Sequence, residues 1–223
     1  MRPHDLKSDY TWETRRPYLK DGILFVPKHY FEHEAFKMPS MQEIFSNNNP
    51  VTVEYCSGNG DWIIEKAKAH PEQNFIAVEM LFERVRKIYS KRENQRIKNL
   101  LIVCGEAMTF SKYYLKQRVI SNVYVNFPDP WPKARHAKHR LINDVFLDEL
   151  LRVMQSSAHF YFTTDDDTYA LNVAEQVSSN PAFASEYPHP YYRTDVENYG
   201  SSFFESLWRK KGKSIKFLKF RVI

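Results

Sequence analysis

From residue 51 onward, short β-rich runs alternate with helical segments, and this alternation narrows the fold more than any other feature of the chain. Apolar, β-branched runs fall at residues 51–55, 74–79, 100–104, 122–126 and 159–163, with a less regular one at 214–222. Between them, helical periodicity covers 61–70, 81–94, 141–155 and 166–179. The third of these helices is the plainest: Phe146, Leu147, Leu150, Leu151 and Met154 share one face, and Asn143 or Asp144 can cap its start. Strands alternating with helices predict an α/β fold with a doubly wound, Rossmann-like sheet. In such sheets ligands bind at the carboxyl ends of the strands, so the strand ends are where function is sought.

The remaining residues fit one domain with an appendage. Residues 1–50 are punctuated by proline and mix Arg15, Arg16, Lys20 and Lys28 with Tyr10, Trp12, Tyr18 and Tyr30. They read as an N-terminal extension carrying one short helix, ended by Ser46-Asn-Asn-Asn-Pro50. Residues 51–223 read as the working domain. A chain of 223 residues buries roughly 70% of its unfolded surface and needs no metal or disulfide staple. Its apolar runs fall short of the ~18 residues a membrane helix needs. The start, MRPHDLKSDYTWETRR, lacks the apolar stretch of a signal peptide. With Cys56 and Cys104 too few for a disulfide framework, a reducing cytoplasm is expected. The net charge of +5 favours an anionic partner only weakly, so the placement of the cations matters more.

Three strand ends carry acids. The first reads Glu54-Tyr-Cys-Ser-Gly58-Asn-Gly60. Glycines between strand and helix admit a ligand close to the backbone, but Cys56 stands at the first glycine position of a dinucleotide fingerprint. A short glycine turn with an acid before it suits a ligand without phosphates. The second strand ends in Glu79, whose carboxylate can accept both hydroxyls of a ribose. The third is followed by Glu106, which can hold an amino group such as that of adenine or can simply cap a helix.

The fourth strand end is the most specific: Asn126-Phe-Pro-Asp-Pro-Trp-Pro-Lys133-Ala-Arg-His-Ala-Lys-His-Arg140. Prolines at alternate positions forbid a helix and stiffen the loop. Asp129 and Trp131 on such a loop can grip a flat heterocycle by hydrogen bond and stacking. Lys133, Arg135, Lys138 and Arg140 follow, with His136 and His139 and no acid, as expected beside nucleic-acid phosphates.

Glu54, Glu79 and Glu106 after three successive strands resemble the Rossmann-like class I methyltransferases that use S-adenosylmethionine (AdoMet). The longer signature, Asn126 to Lys133 followed by Arg135-His136 and Lys138, resembles one family closely: the bacterial tRNA (guanine-N7-)-methyltransferases. Supporting matches are Phe75-Ile-Ala-Val-Glu79, Phe146-Leu147 with Leu150, and Phe162-Thr-Thr-Asp165. The resemblance implies AdoMet-dependent methylation of N7 of a guanine in the tRNA variable loop. It assigns Glu54, Gly58, Gly60, Glu79, Glu106 and Asp129 to the cofactor, with Asp129 also catalytic. It assigns Lys133, Arg135, His136, Lys138, Arg140 and Asp165 to the substrate, together with Ser202 and Glu205 as the match to a Thr-x-x-Glu motif. The chain departs from the family at Cys56, where glycine is usual, at Glu106, where aspartate is, and at Ser202, where threonine is. The implied partner is tRNA, with no membrane, no obligatory protein partner and a monomer or homodimer.

Other readings compete. A methyltransferase acting on another RNA or a small heterocycle shares the acids but leaves the 133–140 cluster without a purpose; free guanosine against tRNA as substrate separates the two. A non-catalytic RNA-binding module is supported only by Cys56, and AdoMet binding in calorimetry decides against it. No metal is expected. His29-Tyr-Phe-Glu-His33 matches an inverted zinc-protease pattern of a length easily met by chance, and residues 165–167 are better explained as a helix cap than as a Mg²⁺ site. Arg84, Arg86, Lys87, Lys91 and Arg92 are expected on the outer face of a helix. Lys213, Lys216 and Lys219 extend an RNA surface or protect an edge strand.

Overall fold

The computed structural model of the protein describes residues 1–7, 16–28, 32–200 and 202–223. The chain forms two compact units, Met1–Leu115 and Lys116–Ile223.

The first unit contains β1 (Tyr18–Lys20), β2 (Ile23–Phe25), α1 (Met41–Phe45), β3 (Val51–Tyr55), α2 (Asp61–Ala69), β4 (Asn74–Glu79), α3 (Phe82–Asn94), β5 (Leu100–Cys104) and α4 (Ala107–Tyr114). Its strands run in the order β1-β2-β5-β4-β3. β3, β4, β5 and β2 are parallel, and β1 closes the edge as an antiparallel hairpin with β2. Every residue of β3 and β4 is buried, as befits parallel strands covered on both faces. The core is built from Val53, Tyr55, Ile63, Ile76, Val85, Ile88, Ile102 and Phe110.

The helix at residues 41–45 agrees with the short one expected in the extension, but β1 and β2 carry no such signal. Their position depends on Arg92, which departs from the outer face expected of it. It lies buried, donates from Nη1 to Gly22 O at 2.8 Å and bonds the Asp21 carbonyl through Nη2. Gly22 has φ +67°, and a Cβ there would collide with Arg92 Nη1, so both the turn and the arginine require glycine.

The second unit contains β6 (Ile120–Asn126), a 3-10 segment (Ala134–His139), α5 (Asp144–Val153), β7 (Met154–Thr164), α6 (Asp167–Ser178), β8 (Phe183–Ser185), α7 (Phe203–Lys210) and β9 (Lys216–Val222). Its strand order is β6-β7-β9-β8, with β6 and β7 parallel and the other pairs antiparallel. Asn143 caps α5, accepting from Phe146 N at 3.0 Å. Asp166 caps α6, accepting from Tyr169 N at 2.7 Å. Phe146, Leu150, Phe160, Phe162, Tyr169, Val173 and Phe220 fill the core. β9 lies between β7 and β8, so Lys216 is no edge-strand lysine; it is buried and paired with Asp167.

Candidate active site in two parts

In the first unit, parallel register brings the ends of β3, β4 and β5 to one edge of the sheet. Glu79 is opposite Cys104, and Tyr55 opposite Val78. Glu54 and Glu79 are 2% and 5% exposed, a burial that carboxylates tolerate only when held by donors. Glu79 has such donors: Gly58 N donates to Oε2 at 2.9 Å and Leu81 N to Oε1 at 2.8 Å. The Arg84 guanidinium lies 3.7 Å from Oε2. Each carboxylate oxygen has a second lone pair, so Glu79 keeps acceptor capacity toward a ligand.

The turn that follows β3 is tightly coiled. Cys56, Gly58 and Gly60 all have positive φ, at +62°, +56° and +76°. Ser57 N donates to Val78 O at 3.1 Å and Gly60 N to Ser57 O at 2.8 Å. A Cβ on Gly60 would sit 2.7 Å from Ile88 Cγ1, so α3 packs directly on the turn. Glu106 is exposed at the N-cap position of α4, where its Oε2 accepts from Thr109 Oγ1 at 2.6 Å. Thus the structure places Glu54, Gly58, Gly60, Glu79 and Glu106 along one sheet edge. Burial and the neighbouring Glu79 push the Cys104 thiol up to about 12, which makes it inert near neutral pH.

This donor set fits AdoMet. Carboxylates and backbone amides line the strand ends, and the turn offers no side-chain cation of its own, which suits ribose hydroxyls and a positively charged sulfonium better than a phosphate. Lys91, which reaches the turn from α3, is committed to Asp61 at 2.5 Å and to Asn59 O at 2.8 Å.

In the second unit, β6 ends in Asn126 and the proline-rich loop begins. Phe127 N donates to Thr163 O at 2.8 Å, and Phe127 and Trp131 both have left-handed φ, at +50° and +43°. Asp129 and Trp131 are exposed. The edge of Trp131 meets His136 at 5.9 Å between ring centroids, and His139 lies at 5.3 Å. Lys133, Arg135 and Lys138 are exposed. Arg140 differs from them: its Nε donates to Pro130 O at 2.8 Å, and its guanidinium lies over the Tyr169 ring at 4.7 Å. It therefore props the loop from below.

Asp165 follows β7, its side chain 12% exposed, and accepts from Lys213 Nζ at 2.7 Å. That hydrogen bond raises the Lys213 ammonium above its ordinary value. Ser202 caps α7, its Oγ accepting from Glu205 N at 3.0 Å, a role a threonine hydroxyl can also fill. Glu205 pairs with Arg209 at 2.9 Å. Phe204, inside the same motif, has its ring 6.4 Å from that of Phe127.

Sequence reasoning missed Tyr199 at these ends, and read Arg84 and Lys213 only as surface cations rather than as partners of site carboxylates. Tyr199 Oη donates to Asn126 Oδ1 and accepts from Thr163 Oγ1, both at 2.7 Å. Arg84 stands beside Glu79, and Lys213 on Asp165. None lies in a motif; only a position near a site residue in space marks them. Of the zinc-protease match, His29 lies outside the described residues, and the Nδ1 of His33 is hydrogen-bonded with Tyr114 Oη at 2.7 Å.

The fold is similar to that of the Rossmann-like methyltransferases. An aminoglycoside-resistance methyltransferase superposes with a TM-score of 0.59 at 15% identity, covering 84% of this chain and 95% of that one. A SAM-dependent methyltransferase from Aquifex aeolicus superposes with a TM-score of 0.55 at 12% identity, covering 83% and 94%. A family model described as putative methyltransferase matches residues 48–218. The tRNA (guanine-N(7)-)-methyltransferase of Chlamydia felis (strain Fe/C-56) is 50% identical over 220 residues, 99% of this chain and 97% of that protein. The protein of the same name from Geobacter metallireducens is 33% identical over 178 residues, 80% of this chain and 84% of that protein. The chain belongs to the tRNA (guanine-N(7)-)-methyltransferase family.

Proposed function

We infer that this chain transfers the methyl group of AdoMet to N7 of a guanine in the variable loop of tRNA. The observation that carries the reading is the loop after β6: an exposed carboxylate, Asp129, beside an exposed indole, Trp131, followed directly by exposed Lys133, Arg135 and Lys138. A carboxylate and an aromatic ring address a base, and the cations address its backbone.

Guanine N7 carries a free lone pair at neutral pH, so the reaction needs no general base. When bound, AdoMet would supply an electrophilic methyl group to that lone pair, with a neutral thioether and a cationic base as the products. What falls to the protein is alignment and charge. Glu54, Gly58, Gly60, Glu79 and Glu106 hold the cofactor, Glu79 through the ribose hydroxyls and Glu106 at the adenine. Asp129 contacts the cofactor as well, hydrogen-bonds the guanine edge and offsets the positive charge that develops on it. Asp165, Ser202 and Glu205 hold the base and its nucleotide, and Lys133, Arg135, His136, Lys138 and Arg140 form the side that meets RNA, Arg140 by fixing the loop. Residues 51–223 constitute the methyltransferase domain and residues 1–50 its extension. The chain acts as a monomer or homodimer, without another protein. Among the described residues no helix is long and apolar enough to cross a membrane, and the enzyme works where tRNA is, in the cytoplasm.

The experiment is methyl transfer from labelled AdoMet to an unmodified tRNA transcript, followed by nucleoside analysis. N7-methylguanosine from the variable loop is the expected product. Another methylated nucleoside, or equal transfer to free guanosine, refutes the reading while leaving the cofactor site in place.

A further inference from the structure

We propose that Tyr199 is a positioning residue for the methyl-transfer reaction, and that its hydroxyl locks the catalytic loop to the two segments that hold the base. The proposal rests on the functional reading of Asp129, Asp165 and the 202–205 motif given above.

The phenolic oxygen of Tyr199 is a junction. It donates to Asn126 Oδ1 at 2.7 Å and accepts from Thr163 Oγ1 at 2.7 Å. Asn126 is the last residue of β6 and the first of the proline-rich loop, three residues before Asp129. Thr163 lies near the end of β7, two residues before Asp165. Tyr199 itself precedes Ser202 by three residues. One oxygen therefore ties together three stretches of chain that each carry a proposed substrate contact. Asn126 and Thr163 are 5% and 0% exposed and Tyr199 is half-buried, so these bonds are partly shielded from water and hold orientation. The ring is fixed independently, edge-on to Phe217 at 4.8 Å and to Tyr124 at 5.9 Å between centroids.

The physical need is plain. Asp129 sits on an exposed loop whose backbone passes through left-handed φ at Phe127 and at Trp131, conformations that non-glycine residues hold only when their surroundings impose them. The prolines stiffen the loop but do not aim it. Phe127 N bonded to Thr163 O fixes one point of its departure from the sheet, and the Asn126 side chain, held by Tyr199, fixes a second. An alignment error of about 1 Å costs as much as ~100-fold in rate, so the loss of one such anchor is read in kcat.

The test is Tyr199→Phe, which removes the hydroxyl and keeps the packed ring. The expected result is a kcat on tRNA lower by about tenfold, with KM for tRNA and AdoMet affinity each within about twofold of the parent. Thr163→Val is expected to act through the same oxygen, so the double variant turns over no more slowly than Tyr199→Phe alone. Hydrogen exchange without substrate is expected to speed up at residues 126–133 and at 202–206, and to stay unchanged at 56–60. A kcat within about twofold of the parent, a loss confined to KM or to AdoMet affinity, effects of the two single variants that multiply, or unchanged exchange at both segments overturns the proposal. If the parent enzyme makes no N7-methylguanosine, the functional reading falls; the exchange measurement, which needs no substrate, still decides whether the hydroxyl locks the segments.

Discussion

The turn after β3 and the loop after β6 both leave a parallel strand at its carboxyl end, yet they are held in opposite ways. The turn is short and largely buried, and its main-chain amides shape it: Ser57 N donates to Val78 O, Gly58 N to the Glu79 carboxylate and Gly60 N to Ser57 O. The loop is long and largely exposed, and side chains hold it: prolines restrict it, Arg140 props Pro130, and Tyr199 grips Asn126. A seat made of backbone accepts a ligand of constant shape, which suits a cofactor. A rigid loop that displays side chains outward suits a macromolecule that must be met at its surface. Substitutions in the loop therefore act on turnover and RNA binding, and substitutions around the turn act on cofactor binding and stability.

The largest expected effect falls on the loop. Asp129→Ala lowers the single-turnover rate by about 100-fold or more, the usual scale for removing a group that stabilises developing charge. Asp129→Asn keeps the hydrogen-bond acceptor but not the charge and falls between the two. Rates are measured at saturating labelled AdoMet, with AdoMet affinity determined separately by calorimetry. Retained turnover in both variants removes the catalytic role of Asp129 and with it the distinction between the two regions.

Next comes Glu79→Gln. The amide sets an NH2 group against Gly58 N or Leu81 N, where each carboxylate oxygen now accepts. Hydrogen bonds to a charged group contribute about 1.5–3 kcal/mol each, so AdoMet binding weakens by about 10- to 100-fold, while tRNA binding measured without cofactor stays as it was. Removing Lys133, Arg135 and Lys138 together gives the opposite pattern. Each phosphate left without its cation lowers the slope of log affinity against log salt by about 0.7, so the triple variant loses about two units of slope with AdoMet affinity intact. A triple variant with the parent's slope shows that these cations do not meet the phosphates.

Much of this division was legible in the sequence, for reasons that differ between residues. β3, β4 and β5 are buried on both faces, so they read as short runs rich in apolar and β-branched residues, and the acids Glu54 and Glu79 stood out against them. The loop was legible because three alternating prolines admit few conformations. β1 and β2 were not, because three-residue strands have no periodicity to detect, and Arg92 holds their turn from a helix far along the chain. Arg92 is expected on an outer helix face and Arg140 beside phosphates; spacing reveals a charge but not that its partners are carbonyls or a ring. Tyr199 looked like any of the chain's many tyrosines, since its partners Asn126 and Thr163 are distant in sequence.

The smallest effect concerns the turn, at Cys56, one of the three positions where this chain departs from its family's pattern. Cys56 has φ +62° where a glycine is usual. A left-handed conformation costs an L-residue about 1–2 kcal/mol, while glycine loses about 0.5–1 kcal/mol more chain entropy on folding. Cys56→Gly is therefore expected to stabilise the protein by about 0.5–1 kcal/mol, a rise in Tm of about 1–4 °C for a chain of this size. Cys56→Ala separates the two ways in which the cysteine can matter: it keeps the Cβ and the strain but removes the thiol. If the cost lies in the backbone, Cys56→Gly melts higher and Cys56→Ala does not, with AdoMet affinity level in both. If the thiol instead crowds the methionine end of the cofactor, both variants bind AdoMet more tightly, and the turn is then a place where a side chain, as in the loop, governs what the protein binds.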